Sequence, residues 1–390
     1  MHIPAHRIIF TEEEILDSKN ALEEIMSSGK MILGNYTEAF EEEYARLHGR
    51  QFGVAVASDT AAIEIALRMY GIGPGDKVLY PANGFFGIVI PILRCGAEPV
   101  FFDIRWDQNL FITEVDLAEL VAKHKPKALI LMHTGGMVAA RSRAIGDMCK
   151  YLGVICIEDA AHAPGAKMNE EYAGSFGDIS CFSLYATKPI NAGEGGMLLT
   201  DDEEIANLAK VYRNYGRTSS FGRGIHIVEG YSWRLTEIQA AIGLGQVKRQ
   251  DEIKRERNKI AMLYNDHLAL FEKLGVRKYV MAKGSDPNWY RYLMLLPEGY
   301  TSDDRAEMKA WILKNYEVQL PGEVYELPAH LQPVWGGKYD HIHMPNSEEW
   351  ANRHFALPIY NTLNETEQYI IIESVYEYLK MKQSGCTEKT

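Results

Sequence analysis

Residues 154–162 read Val154-Ile155-Cys156-Ile157-Glu158-Asp159-Ala160-Ala161-His162. The apolar run Val154–Glu158 has the pattern of a short strand buried on both faces. It runs directly into Asp159 and His162. Similar runs lie upstream at Val54–Ala57, Val78–Pro81, Pro99–Asp103 and Ala128–His133. Downstream, Ile179–Tyr185 and Met197–Thr200 read as strands separated by a Gly-rich turn. Thr60–Tyr70 and Ser142–Leu152 have the amphipathic spacing of intervening helices. Strands alternating with helices predict an α/β fold: a mostly parallel central sheet, flanked by helices, with right-handed crossovers.

The texture changes near residue 245. Gln246–Leu274 is rich in charge and reads as a long solvated helix. Arg291–Leu296, the helical Asp303–Asn315 and the terminal helix Glu365–Met381 suggest a smaller α+β domain. The expected division is therefore 1–245 and 246–390, with the two parts closely packed.

The bulk numbers exclude several classes. The chain has 390 residues, 46% hydrophobic and 24% charged, as in a soluble globular protein. Its 41 basic and 53 acidic residues leave a net charge of −12, with no overall attraction to nucleic acid or anionic membrane. No apolar run approaches the roughly 18 residues that span a bilayer. The start, MHIPAHRIIF, lacks the order of a signal peptide. Of five cysteines, Cys95, Cys149, Cys156, Cys181 and Cys386, none forms a CxxC pair, and four sit beside apolar residues. That usage fits buried thiols in a reduced, cytoplasmic setting.

Ligands of open parallel sheets bind beyond the carboxyl ends of strands. Ser58-Asp59-Thr60-Ala61 follows the first strand and opens a helix. Its free N–H groups make a phosphate site, although Ser58 or Asp59 can also be an ordinary N-cap. Phe85 follows the second strand, either as core or as a wall for an aromatic ligand. Cys181–Ser183 leads to Lys188 and then Gly193-Glu194-Gly195-Gly196. An ammonium near a buried strand is costly unless paired or covalently used. A Schiff-base lysine, an acid for a pyridinium nitrogen, a phosphate-binding helix start and a stacking aromatic are together what pyridoxal 5'-phosphate (PLP) requires.

These motifs resemble the DegT/DnrJ/EryC1/StrS family of PLP-dependent sugar aminotransferases. The resemblance runs from Gly34 and Phe40-Glu41 to Leu357-Pro358. Its most specific parts are Ile157–His162, Gly174-Ser175-Phe176-Gly177-Asp178 and Phe182-Ser183 through Lys188. Gly193–Met197, Arg213-Asn214-Tyr215-Gly216, Leu235–Ala241 and His330-Leu331-Gln332-Pro333 add to it. The resemblance implies the fold-type I aspartate aminotransferase architecture, with a large PLP-binding domain. It implies Lys188 as the Schiff-base residue and Asp159 as partner of the pyridinium nitrogen. His162 falls near the phenolic oxygen, and Phe85 stacks on the ring. Ser183 and the backbone around Asp59 and Thr60 hold the phosphate. His330 falls near the sugar-nucleotide path.

Two positions depart from the family pattern. Asp59 replaces the usual Gly, so its carboxylate is expected to turn away from the phosphate. Ser232 replaces the Asn that reaches the neighbouring subunit's cofactor in a homodimer. The implied reaction moves an amino group from glutamate to a keto sugar, most often a nucleotide-linked 3- or 4-keto-6-deoxyhexose. A sugar dehydratase on the same scaffold is the alternative, but such enzymes have His in place of Lys188. A non-catalytic regulator is a third reading, against which Lys188 and Asp159 both stand.

Overall fold

Ile155–Asp159 is the fourth strand of a seven-stranded sheet, with three strands on either side of it. The computed structural model describes residues 2–218, 224–279 and 281–384; Cys386 lies outside them. The chain begins with helices α1 (Glu12–Ser28) and α2 (Asn35–Leu47). The sheet then builds through β1 (Phe52–Val56), α3 (Asp59–Met69), β2 (Lys77–Pro81), α4 (Phe86–Arg94) and β3 (Glu98–Phe102). It continues through α5 (Glu114–His124), β4 (Ala128–Met132), α6 (Ser142–Leu152) and β5 (Ile155–Asp159). A short hairpin of β6 (Lys167–Met168) and β7 (Glu171–Tyr172) precedes β8 (Ile179–Ser183) and β9 (Gly196–Thr200). Helices α7 (Glu203–Tyr212), α8 (Glu237–Lys248), α9 (Gln250–Asp266) and α10 (Leu268–Glu272) follow. The remainder is β10 (Arg277–Lys278), β11 (Ser285–Asp286), β12 (Tyr292–Leu295), α11 (Ser302–Tyr316), α12 (Pro345–Arg353), β13 (His354–Leu357) and α13 (Glu365–Gln383).

The large sheet has the order β1-β9-β8-β5-β4-β2-β3. Strand β9 pairs antiparallel with both β1 and β8, while the other pairings are parallel. The carboxyl ends of β1, β2, β5 and β8 therefore point to one edge. Successive residues of each strand feed opposite cores. Leu129, Cys156 and Phe182 pack with α2, α5, α6 and α8 on one face. Ile130, Ile157 and Cys181 pack with α3, α4 and α7 on the other. Burial on both faces is why the strands appear as unbroken apolar runs.

A third core is built from α9, α10, β12, α11, β13 and α13, and Ile3 belongs to it. Ile3 bridges to Val318, so the first residues lie against the C-terminal part. Gln246–Leu274 is not one helix: α8, α9 and α10 are interrupted at Arg249 and His267, with ψ of 5° and 3°. Nor is it wholly solvated, since α9 buries Ile253, Ile260 and Tyr264 at helical spacing. Helix α4 carries Pro91 and is apolar on most sides, which hides it from a periodicity reading. Four cysteines are buried and free. Among the described residues no helix is long and apolar enough to cross a membrane.

Candidate active site

A cavity of about 410 Å³ opens where β1, β5 and β8 end, and Asp59, Thr60, Phe85, Asp159, His162, Ser183 and Lys188 all line it. These residues span 130 positions of sequence, from 59 to 188. The parallel topology brings them to one edge.

The phosphate-like end is the start of α3. Ser58 is its N-cap and accepts from the Ala61 N–H at 3.1 Å. The first-turn N–H groups of Asp59 and Thr60 have no intrahelical acceptor and suit an anion. Gly196 opens β9 beneath this turn. A Cβ there would lie 2.6 Å from the Asp59 nitrogen, so only glycine lets the strand pass. Asp59 is 7% exposed. Its Oδ1 is buried without a hydrogen-bond partner, while the residue lines the cavity. Burial and the neighbouring Asp159 raise its pKa well above the carboxylate range, while Lys188 opposes them.

Asp159 ends β5 between Met132 of β4 and Cys181 of β8. Its Oδ1 accepts from the Ala161 N–H at 3.1 Å. Burial raises its pKa, against the opposing effects of that N–H and of Lys188. A cationic group of a ligand beside it would offset that desolvation. The preceding residue faces the other way, as strand alternation requires. Glu158 accepts from His133 Nε2 at 2.9 Å and from the backbone N–H groups of Gly174, Phe176 and Gly177 at 2.8, 2.6 and 2.6 Å. Burial pushes its pKa up, but the His133 hydrogen bond and these donors outweigh it, and the net shift is downward. His133 Nδ1 accepts from the Ala139 N–H at 3.2 Å, which places the ring proton on Nε2. Glu158 thus ties the 173–177 turn to β5 and sets the angle at which Asp159 emerges.

His162 is 8% exposed, and its Nδ1 accepts from the Gly135 N–H at 3.3 Å. Burial, then Lys188 and Arg291, hold its pKa well below the usual imidazole value. The ring is neutral, with Nε2–H left as a donor. Lys188 lies beyond the end of β8, which stops at Ser183 and not Tyr185. Its backbone N–H donates to the Tyr185 carbonyl at 2.8 Å, closing a turn. Its Nζ sits 4.6 Å from the Tyr290 ring centroid. The Tyr290 hydroxyl bonds Thr187 Oγ1 at 3.1 Å.

The wall opposite α3 comes from residues that sequence reading missed: Tyr290, Arg291, Val324 and Tyr325. The Arg291 guanidinium lies 4.7 Å from the Tyr290 ring, and no carboxylate pairs with it among the described residues. Tyr325 stacks against Phe85 at 6.3 Å and 23°. No local motif marks these positions.

Two sequence-predicted residues do not reach the cavity. Ser232 is exposed near the outer edge of β1, where Arg234 donates to its hydroxyl at 2.7 Å. His330 is 0% exposed. It packs 6.1 Å from the Phe101 ring and 3.6 Å from Glu348, too far for a hydrogen bond. The adjoining Ala329 N–H donates to Ala82 at 2.7 Å, so this turn buttresses β2. The expectation that His330 contacts a sugar is corrected: burial against the back of the sheet removes it from solvent.

Other motifs are scaffold. Glu237 accepts from the backbone N–H groups of Gly34, Tyr36 and Thr37 at 2.9, 2.9 and 3.0 Å, capping α2 from a distant helix. A Cβ on Gly34 would sit 2.7 Å from that carboxylate. Glu41 and Arg213 form a buried ion pair that brackets Ala55 of β1, one bonding its N–H and the other its carbonyl.

The fold and this constellation define a PLP-dependent aminotransferase. A flat aromatic wall, a helix start, a buried acid and a half-buried lysine fit the ring, phosphate, nitrogen and aldehyde of that cofactor. The chain belongs to the DegT/DnrJ/EryC1/StrS aminotransferase family, whose pattern matches residues 12–376. It is 32% identical over 389 residues to the spore coat polysaccharide biosynthesis protein SpsC of Bacillus subtilis, covering 97% of both chains. It is 31% identical to dTDP-3-amino-3,4,6-trideoxy-alpha-D-glucose transaminase of Micromonospora megalomicea, covering 94% of this chain and 96% of that one. The crystal structure of S. venezuelae DesV in complex with a ketimine intermediate superposes with a TM-score of 0.87 at 27% identity, covering 97% and 99% of the two chains.

Proposed function

We propose that this enzyme transfers the amino group of glutamate to a keto sugar, a nucleotide-linked 3- or 4-keto-6-deoxyhexose. The observation that carries the reading is the convergence of Lys188, Asp159, His162, Phe85 and the α3 start in one cavity. When bound, PLP supplies the electron sink that stabilises charge at the substrate carbon. The chain's residues supply the rest. The α3 N–H groups and Ser183 hold the phosphate. Asp159 keeps the ring nitrogen protonated, and neutral His162 donates from Nε2 toward the phenolic oxygen. Lys188 first binds the cofactor and then moves a proton at the substrate carbon. Tyr290 beneath its amine restricts where that amine swings.

Arg291 supports an anionic substrate. It presents a positive charge to the cavity beside Lys188 and has no acid of its own among the described residues. A guanidinium suits the carboxylate of glutamate or a sugar-linked phosphate, which such a group can bind in bidentate fashion. The relatedness to a dTDP-sugar transaminase supports the sugar acceptor.

The same reading assigns residues 1–245 to the PLP-binding domain and 246–390 to the small domain, in a cytoplasmic homodimer. An apolar groove of about 320 Å³ between α1 and α8, lined by Ile15, Leu22, Ile238 and Ile242, supports a self-association surface. The exposed Ser232 is assigned, on the same reading, to the neighbouring subunit's cofactor site.

The test is spectroscopic. Protein with PLP turns yellow, and glutamate bleaches it with one 2-oxoglutarate released per site. A candidate keto-sugar nucleotide restores the colour and yields an amino sugar. Protein that never colours, or is bleached without releasing 2-oxoglutarate, sinks the reading.

A further inference from the structure

The carboxyl group of Asp59, unlike its backbone N–H, has no role in the scaffold or in the reaction proposed above. The residue opens α3, lines the cavity, and its Oδ1 has no hydrogen-bond partner though fully buried. The groups facing it come from every side. Asp159 approaches from β5 and Lys188 from the turn after β8. Tyr44 of α2, Tyr80 of β2, Cys181 of β8 and Tyr325 also feel its charge, and burial keeps all four neutral. Lys188 is thus the cation that faces two carboxyl groups.

A phosphate bound at the first turn of α3 adds further negative charge. Helix N-termini favour anions, but that gain is small beside the cost of an unpaired buried carboxylate next to a second one. A carboxyl group that keeps its proton resolves the conflict, because its O–H becomes a donor.

We propose that Asp59 makes phosphate binding proton-linked: its protonated carboxyl group donates to a phosphate oxygen, and above its titration the site takes up one proton with the ligand. No bond other than the O–H forms, and the proton comes from solvent. Burial and Asp159 both act to hold the proton on Asp59, in keeping with this role. The inference rests on the proposed function only in taking the cofactor's phosphate as the ligand.

The test uses the whole cofactor-free chain and two non-covalent probes, pyridoxamine 5'-phosphate and unphosphorylated pyridoxamine. Affinities are measured by calorimetry across about pH 6 to 9, in buffers of different ionisation heat, for wild type and Asp59→Asn. One linked proton makes wild-type affinity for the phosphorylated probe fall by up to about tenfold per pH unit on the alkaline limb, beyond any fall seen in the variant. Wild type should take up more protons than Asp59→Asn with that probe, and equally many with pyridoxamine. Asp59→Gly, which removes the carboxyl group altogether, should bind the phosphorylated probe more tightly than wild type at the alkaline end. Matching pH profiles and proton counts in wild type and variants would overturn the proposal. So would an equal wild-type loss with pyridoxamine. If no variant folds, absence of proton uptake by wild type alone is decisive. Failure of glutamate to bleach the loaded enzyme bears on the reaction and leaves this binding result intact.

Discussion

The two sides of the cavity are built differently. The floor comes from strand ends and one helix start: Asp59, Thr60, Asp159, Ser183 and the turn to Lys188. Each lies at or just beyond the end of a strand of the large sheet, and Asp159 is further set by the Glu158 clamp behind it. The opposite wall is Tyr290, Arg291 and Tyr325, which arrive from the loops before β12 and after α11. There the Tyr290 hydroxyl bonds Thr187, while the Arg291 guanidinium lies over the Tyr290 ring and has no acid partner among the described residues. The contrast teaches a division of labour. On the proposed function, the floor would hold the cofactor and the wall would select what reacts with it.

Mutations test that division. Lys188→Ala should fold normally yet lose about four orders of magnitude in turnover, measured by single-turnover bleaching with glutamate. Retained transamination would remove Lys188 from the mechanism. Asp159→Ala should cost about two to three orders of magnitude in kcat. If it instead changes only KM, the acid is misassigned and the floor is no longer distinct from the wall.

Glu158 probes the rigidity of the floor. Glu158→Gln should lower unfolding free energy by about 3 kcal/mol, since its buried donors lose their anionic acceptor. Its folded pKa lies below the ordinary 4.5. A depressed acid stabilises the fold above its unfolded pKa and loses that contribution as pH falls through the folded value. Wild type should therefore lose stability in acid below about pH 4.5, more steeply than the Gln variant. Parallel denaturation curves would show that the clamp contributes nothing.

The wall should respond in binding. Arg291→Gln should raise KM for the anionic substrate by about tenfold to a hundredfold, a lost charged hydrogen bond of about 1.5–3 kcal/mol, with a smaller change in kcat. A dominant kcat effect would make Arg291 part of the floor's chemistry. The smallest kinetic effect is expected at His330. Its change to Gln should cost about 1–3 kcal/mol of stability and leave KM within about twofold. A large KM change would restore it to the substrate path.

The corrected residues show where sequence reading succeeds. Asp159, His162 and Lys188 follow apolar strands that are buried on both faces, so their positions are legible as ends of runs. His330 looked equally functional in its motif, yet the motif serves to brace β2. Glu237 and Gly34 likewise belong to motifs that cap a helix. A motif records that residue types are needed together, and packing needs them as strictly as catalysis does.

By itself the sequence determined the seven strands of the large sheet, the edge at which their carboxyl ends gather, and the residues that line the floor. Short-range patterning carries that information, because a strand buried on both faces must be apolar and must end in a turn. Only the tertiary structure decided that Tyr290, Arg291 and Tyr325 close the cavity, that Asp59 is buried at its edge, and that His330 stays out of it. Those outcomes depend on how distant segments dock, and docking is fixed by side-chain packing between surfaces that share no local period.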